Sequence, residues 1–119
     1  MIESDSNLDQ LREKCFDNED LVLKLISRFD KSLSIYEIEL GQASETQNYE
    51  LIHSLGHRLA GESGTMCAWK IHESAKQLCE LCRSLSFDLI ETLIQELTVE
   101  MQRFRANSLS REQMQFEPQ

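Results

Sequence analysis

Turn formers are scarce in this chain: its 119 residues include one proline and four glycines. Sandwiches and barrels need many tight turns, which glycine and proline supply, so a chain this poor in both favours long helices. The apolar spacing agrees. Val22, Leu25, Ile26, Phe29, Leu33, Tyr36 and Leu40 recur at steps of three and four, which predicts an amphipathic helix of about six turns ending near Gly41. Asn18 is placed to cap its start, and Glu19 and Asp20 put carboxylates in its first turn, where the helix dipole favours them. Upstream, Asn7 to Phe16 reads as a short helix with Leu8, Leu11 and Cys15 on one side. After a polar stretch from Gln42 to Asn48, a further helix begins about Asn48. It buries Leu51, Ile52, Leu55 and Leu59 and ends soon after Gly61-Glu62-Ser63-Gly64. Another runs from about Ala68 with Ile71, Ala75, Leu78 and Cys82 on one stripe. Ser84-Leu85-Ser86 breaks it, and the last helix carries Leu89, Ile90, Leu93, Ile94, Leu97, Met101 and Phe104 at helical spacing. No segment alternates with period two for long enough to form a strand.

The length fits one domain over residues 1–119. Four long amphipathic helices joined by short loops predict an all-α, antiparallel up-down-up-down four-helix bundle, with the short N-terminal helix lying across one end. Residues 1–6 and 107–119, polar and holding the lone Pro118, read as frayed ends. No run of eighteen apolar residues is present, so no membrane insertion is expected. The opening MIESDSNLDQ has neither the basic nor the apolar region of a secretory signal. The four cysteines are therefore expected as reduced thiols in a cytoplasmic protein.

Acidic residues outnumber basic ones 21 to 12, for a net charge of −9. Such a chain is a poor partner for nucleic acid or an anionic membrane. The charge is uneven. Residues 1–50 carry twelve acids and five bases, whereas residues 51–85 carry three acids and four bases. That middle third also holds all three histidines and three of the four glycines. Its nearly neutral balance suits a partner with an acidic site.

Within it, His57-Arg58-Leu59-Ala60-Gly61-Glu62-Ser63-Gly64-Thr65-Met66-Cys67-Ala68 draws attention. Positions i, i+4 and i+7 of a helix share a face, and here they are His57, Gly61 and Gly64. A helical glycine costs about 1 kcal/mol against alanine. Two readings account for paying that twice: a partner must approach closely beside the imidazole, or the glycines merely end the helix.

The stretch resembles the signature of histidine-containing phosphotransfer (HPt) domains, H-x-L-K-G-S-S-G-x-L-G-A, with His57, Leu59, Gly61, Ser63, Gly64 and Ala68 matching. The helix order and lengths from Asn7 to Arg105 are similar to that family as well. Three positions differ. Ala60 stands where the family has lysine, Cys67 where it has a second glycine, and Cys79 where a Glu or Gln often bonds the imidazole. Arg58 is near in sequence but points about 100° to the side. The resemblance implies that His57 accepts a phosphoryl group, with Arg58, Ala60, Gly61, Gly64 and Cys79 in docking or supporting positions. It implies no cofactor in this chain, the Mg²⁺ and acidic pocket belonging to a partner receiver domain. The implied partners are response-regulator receiver domains and a hybrid sensor histidine kinase. The chain has no G-x-x-x-x-G-K-[ST] and no kinase-like glycine loop, so it is expected to be a transfer module and not an enzyme with its own nucleotide site.

Two other readings stay open. A degenerate relative could bind receivers or other proteins without being phosphorylated. A thiol or metal sensor could use Cys67, His72, Cys79 and Cys82, or the i, i+4 pair His53 and His57; with one C-x-x-C inside a helix, buried structural cysteines are the commoner outcome, and no metal site is expected. Trp69 reads as a packing residue or part of a docking patch, and the acidic N-terminal half as solvated surface.

Overall fold

The structure, a computed structural model, describes the backbone of residues 8–116 and side chains through Ser108. The expected fraying of residues 1–6 lies outside the described residues, as does the end of the chain from residue 117. The described chain is all helical: α1 (Leu8–Lys14), α2 (Glu19–Glu45), α3 (Tyr49–Thr65), α4 (Trp69–Arg83) and α5 (Phe87–Phe116), with no strand among the described residues. None of these helices is long and apolar enough to cross a membrane.

The helices pack in a bundle-like arrangement: α2 lies against α3 and α5, α4 against the same two, and α1 against α2. The stripe on α2 supplies Val22, Ile26, Phe29, Leu33, Tyr36 and Leu40 to the core, all buried. α3 adds Ile52, Leu55 and Leu59, and α4 adds Ile71, Ala75 and Leu78. From α5 come Ile90, Leu93, Ile94, Leu97, Met101 and Phe104. Removing such side chains from water is worth about 1.5–3 kcal/mol each. Phe29 meets Phe104 edge to face, ring centroids 5.2 Å apart, and Arg105 pairs with Glu37 across the α2–α5 seam. Two stripe members depart from expectation: Leu51 and Leu89 are exposed, each at the edge of its helix's apolar face.

Asn18 and Asn48 both cap helices, their side-chain oxygens accepting from Leu21 N at 3.2 Å and Leu51 N at 3.1 Å. The helix ends carry the larger surprise. α2 runs through Gly41 to Glu45, because Ala43 extends the buried stripe by a turn and Gly41 takes no left-handed φ. Instead α1 to α4 end at non-glycine residues with positive φ: Phe16 (54°), Gln47 (53°), Cys67 (56°) and Leu85 (57°). Each end is closed by the same pair of hydrogen bonds. After α2, Asn48 N donates to Ala43 O (2.9 Å) and Gln47 N to Ser44 O (3.1 Å). After α3, Ala68 N donates to Ser63 O (2.9 Å) and Cys67 N to Gly64 O (3.1 Å). After α4, Ser86 N donates to Leu81 O and Leu85 N to Cys82 O. Three joints, residues 46–48, 66–68 and 84–86, thus share one geometry, in which the residue closing one helix stands at the start of the next. α5 continues to Phe116, past Asn107, where the sequence reading stops it; Gln, Glu and Arg are good helix formers and no proline intervenes before Pro118.

Candidate functional site

α3 sorts its residues by face. Ile52, Leu55, Leu59, Ser63 and Met66 turn to the core, and Ser63 Oγ donates to Leu59 O at 2.6 Å. His57, Arg58, Gly61 and Glu62 are exposed on the opposite side. His57 makes no hydrogen bond or ion pair among the described residues. Gly61, one turn on, would meet nothing within 4 Å if it carried a Cβ, so the helix surface beside the imidazole is bare.

The other two imidazoles are less open. His72 on α4 is half-buried, and its Nδ1–H donates to Ala60 O at 2.7 Å. Its ring also meets the Trp69 ring edge-on at 5.6 Å, and Trp69 Nε1 donates to Gln10 Oε1 on α1 at 2.6 Å. His53 is half-buried, with Nε2 enclosed and unpartnered. It lines a cavity of about 590 Å³ with Tyr49, Cys82, Arg83 and Phe87.

The glycines divide by role. A Cβ on Gly64 would lie 3.2 Å from the His72 ring, and one on Gly56 would lie 3.2 Å from Cys79 Sγ and 3.4 Å from Ala75 O. Gly56, Ala60 and Gly64, each four residues after the last, form a stripe of small residues that brings α4 close to α3. The sequence reading grouped Gly64 with His57 and Gly61 and passed over Gly56; the four-residue repeat of small side chains was the signal for this second stripe. Ala60 belongs to it, half-buried against the core. Of the two glycines assigned to the His57 face, only Gly61 stands in the open.

Arg58 reaches toward α2, its guanidinium 5.7 Å from the centroid of the Tyr36 ring. Burial pushes the Tyr36 phenol up to about 12, with the Glu62 carboxylate adding to it. The hydroxyl is buried without a hydrogen-bond partner among the described residues. On this flank a groove of about 320 Å³ runs between α2 and α3, lined by Leu25, Arg28, Phe29, Gly61, Glu62 and Met66.

Cys79 packs against Gly56, and its Sγ lies 3.6 Å from His53 O, one turn before His57. Burial pushes the thiols of both Cys79 and Cys82 up, which disfavours the reactive thiolate. No group of three His, Cys, Asp or Glu side chains that could hold a metal ion occurs among the described residues. Cys67 precedes α4 and Cys79 and Cys82 fall near its end; at 1.5 Å rise per residue, twelve residues separate Cys67 from Cys79 by about 18 Å. The four-residue zinc set considered from sequence is not assembled.

Compared with family models, with curated proteins and with solved structures, the chain matches none.

Proposed function

We propose that this chain is a phosphorelay intermediate of the HPt kind, with His57 accepting a phosphoryl group from a receiver-domain aspartate and passing it to another receiver. The observation that carries this reading is the contrast among the imidazoles. His57 is exposed and unpartnered beside the bare Gly61, whereas His53 and His72 are half-buried. A second observation supports it: Cys67, which stands for the motif's second glycine, is the residue with φ of 56° at the α3–α4 joint, where glycine fits best.

The proposal includes the finer architecture. With three-residue joints, each of α3, α4 and α5 folds back along its predecessor, and α2 to α5 close as an antiparallel up-down-up-down bundle with α1 across one end. His57 then stands midway along an outer face, open to a docking domain, and the α2–α3 groove with its apolar floor receives part of the receiver.

The chemistry asks little of this chain. The unprotonated ring nitrogen of the neutral imidazole attacks the phosphorus of the aspartyl phosphate. The N–P bond forms as the P–O bond to the carboxylate breaks, and that electron pair leaves with the carboxylate. Transfer depends on alignment and charge stabilisation; the receiver brings Mg²⁺ and its acidic pocket, and this chain brings the nucleophile and a docking face. A hybrid sensor kinase in the cytoplasm is the proposed source of the phosphoryl group.

A second reading, a protein-interaction module that is not phosphorylated, is favoured by Ala60, which offers no cation. Incubation with phosphorylated receivers and Mg²⁺ separates the two. A transferred label that is acid-labile and alkali-stable is the expected result; binding without label would move the assignment to the interaction module.

A further inference from the structure

We infer that Lys76 on α4 supplies the positive charge beside the phosphoryl group on His57, in place of the lysine absent at Ala60. The inference rests on His57 being the acceptor, and it answers the objection that Ala60 raises.

The register across the α3–α4 seam locates Lys76. Gly64 and Ala60 meet His72, while Gly56 meets Ala75, Leu78 and Cys79, and His53 O meets Cys79. Residues later in α3 therefore lie beside residues earlier in α4. His57, between Gly56 and Ala60, falls level with the middle of α4, about residues 74–78. Of these, Ser74, Ala75 and Leu78 are buried, which leaves Lys76 and Gln77 exposed.

The helical period separates those two. Lys76 follows His72 by four residues and precedes Cys79 by three, so it shares the side of α4 that those seam residues occupy. It sits on the outer rim of that side, facing the rim of α3 from which His57 projects. Gln77 is turned a further 100° toward solvent. A lysine has four flexible methylenes and a compact ammonium, enough to cross from one rim to the other.

Two other cations near α3 are turned elsewhere. Arg58 lies over Tyr36, and Arg83 is two turns further along α4, lining the cavity beside His53. Lys76 itself has no ion pair among the described residues. Glu73 and Glu80 sit one turn to either side of it on α4, and neither pairs with it.

The test uses phosphoramidate as donor, so that receiver docking plays no part. The His57 ring nitrogen forms the N–P bond as the donor's P–N bond breaks and ammonia leaves. Rates of His57 labelling are compared for the wild type, Lys76→Gln, Lys76→Glu and Lys76→Arg, each checked for helical circular dichroism. One unit charge near 4 Å in water is worth about a fivefold change. Lys76→Gln is expected to slow labelling about fivefold and Lys76→Glu further, Lys76→Arg to keep it near wild type, and the differences to shrink in 1 M salt, where screening is within about 3 Å. Labelling of His57 that is equal in all four proteins would overturn the role of Lys76 and leave His57 as acceptor. Absence of label on His57 in the wild type would overturn the acceptor assignment and the Lys76 proposal with it.

Discussion

Gly61 and Gly64 lie three residues apart on one helix, and the same substitution at each should move stability in opposite directions. At Gly61 a Cβ meets nothing within 4 Å. Gly61→Ala therefore exchanges a flexible helix-interior residue for the best helix former, a gain of about 0.5–1 kcal/mol. At Gly64 the new methyl would stand 3.2 Å from two atoms of the His72 ring. That ring cannot retreat cheaply, because its Nδ1–H bond to Ala60 O and its edge contact with Trp69 hold it in place. Overpacking of this kind costs about 1–3 kcal/mol, and the propensity gain in the last turn of α3 offsets only part of it. The expected net effect of Gly64→Ala is a loss of about 1 kcal/mol, so the two variants should differ by about 1.5–2 kcal/mol. Urea unfolding with an unchanged m-value measures this directly. In a His72→Ala background the Gly64→Ala penalty should vanish, since contacting residues couple in a double-mutant cycle. Equal stabilisation by both alanines would refute the wedge between Gly64 and His72, and with it the division of the glycines into a packing pair and an open one.

Leu85 is 67% exposed at φ 57°, and Gln47 is exposed at φ 53°; Leu85→Gly and Gln47→Gly should each raise the melting temperature, since a left-handed φ costs a side chain about 1–2 kcal/mol and glycine's chain entropy returns only part of it. Cys67→Gly should gain less than either in the same melts, because it also empties a fully buried site. Tyr36→Phe should be neutral or up to about 1 kcal/mol stabilising at pH 7, since it removes a buried hydroxyl without a partner. The raised phenol keeps its stabilising neutrality below the ordinary tyrosine value of about 10 and loses it as the pH rises through about 12. Urea midpoints compared at pH 8 and pH 11 should therefore fall less steeply for Tyr36→Phe than for the wild type, and parallel lines would contradict the assignment.

Much of the helix plan was legible because its signals are local. Asn18 and Asn48 announce their helices by the side-chain oxygen that accepts from the third residue on, and the three- and four-residue apolar steps of α2, α4 and α5 lie on the buried faces. The end of α2 was not legible, since glycine is the usual sign of a left-handed cap and this chain places Gln47, Cys67 and Leu85 there instead. At the site, helical phase put His57 and Gly61 on one face, and both are exposed. The seam did not follow from phase. Gly64 serves two periodicities at once, seven residues after His57 and eight after Gly56, and only the position of His72 decides which one its missing side chain serves. Cys79, a neighbour of the imidazole by resemblance, packs against Gly56, which adjoins His57 in the chain, and against the His53 carbonyl one turn before it.

The central claim is that His57 alone carries the phosphoryl group. Its most direct test is transfer from a phosphorylated receiver to the wild type and to His53→Gln, His57→Gln and His72→Gln, each confirmed as folded by circular dichroism. Glutamine keeps a polar side chain of similar size, so the helices should survive at all three positions. Acid-labile, alkali-stable label should disappear in His57→Gln and persist in the other two, with His53→Gln changing the rate modestly through its position one turn away. Label that persists on a folded His57→Gln protein would contradict the assignment.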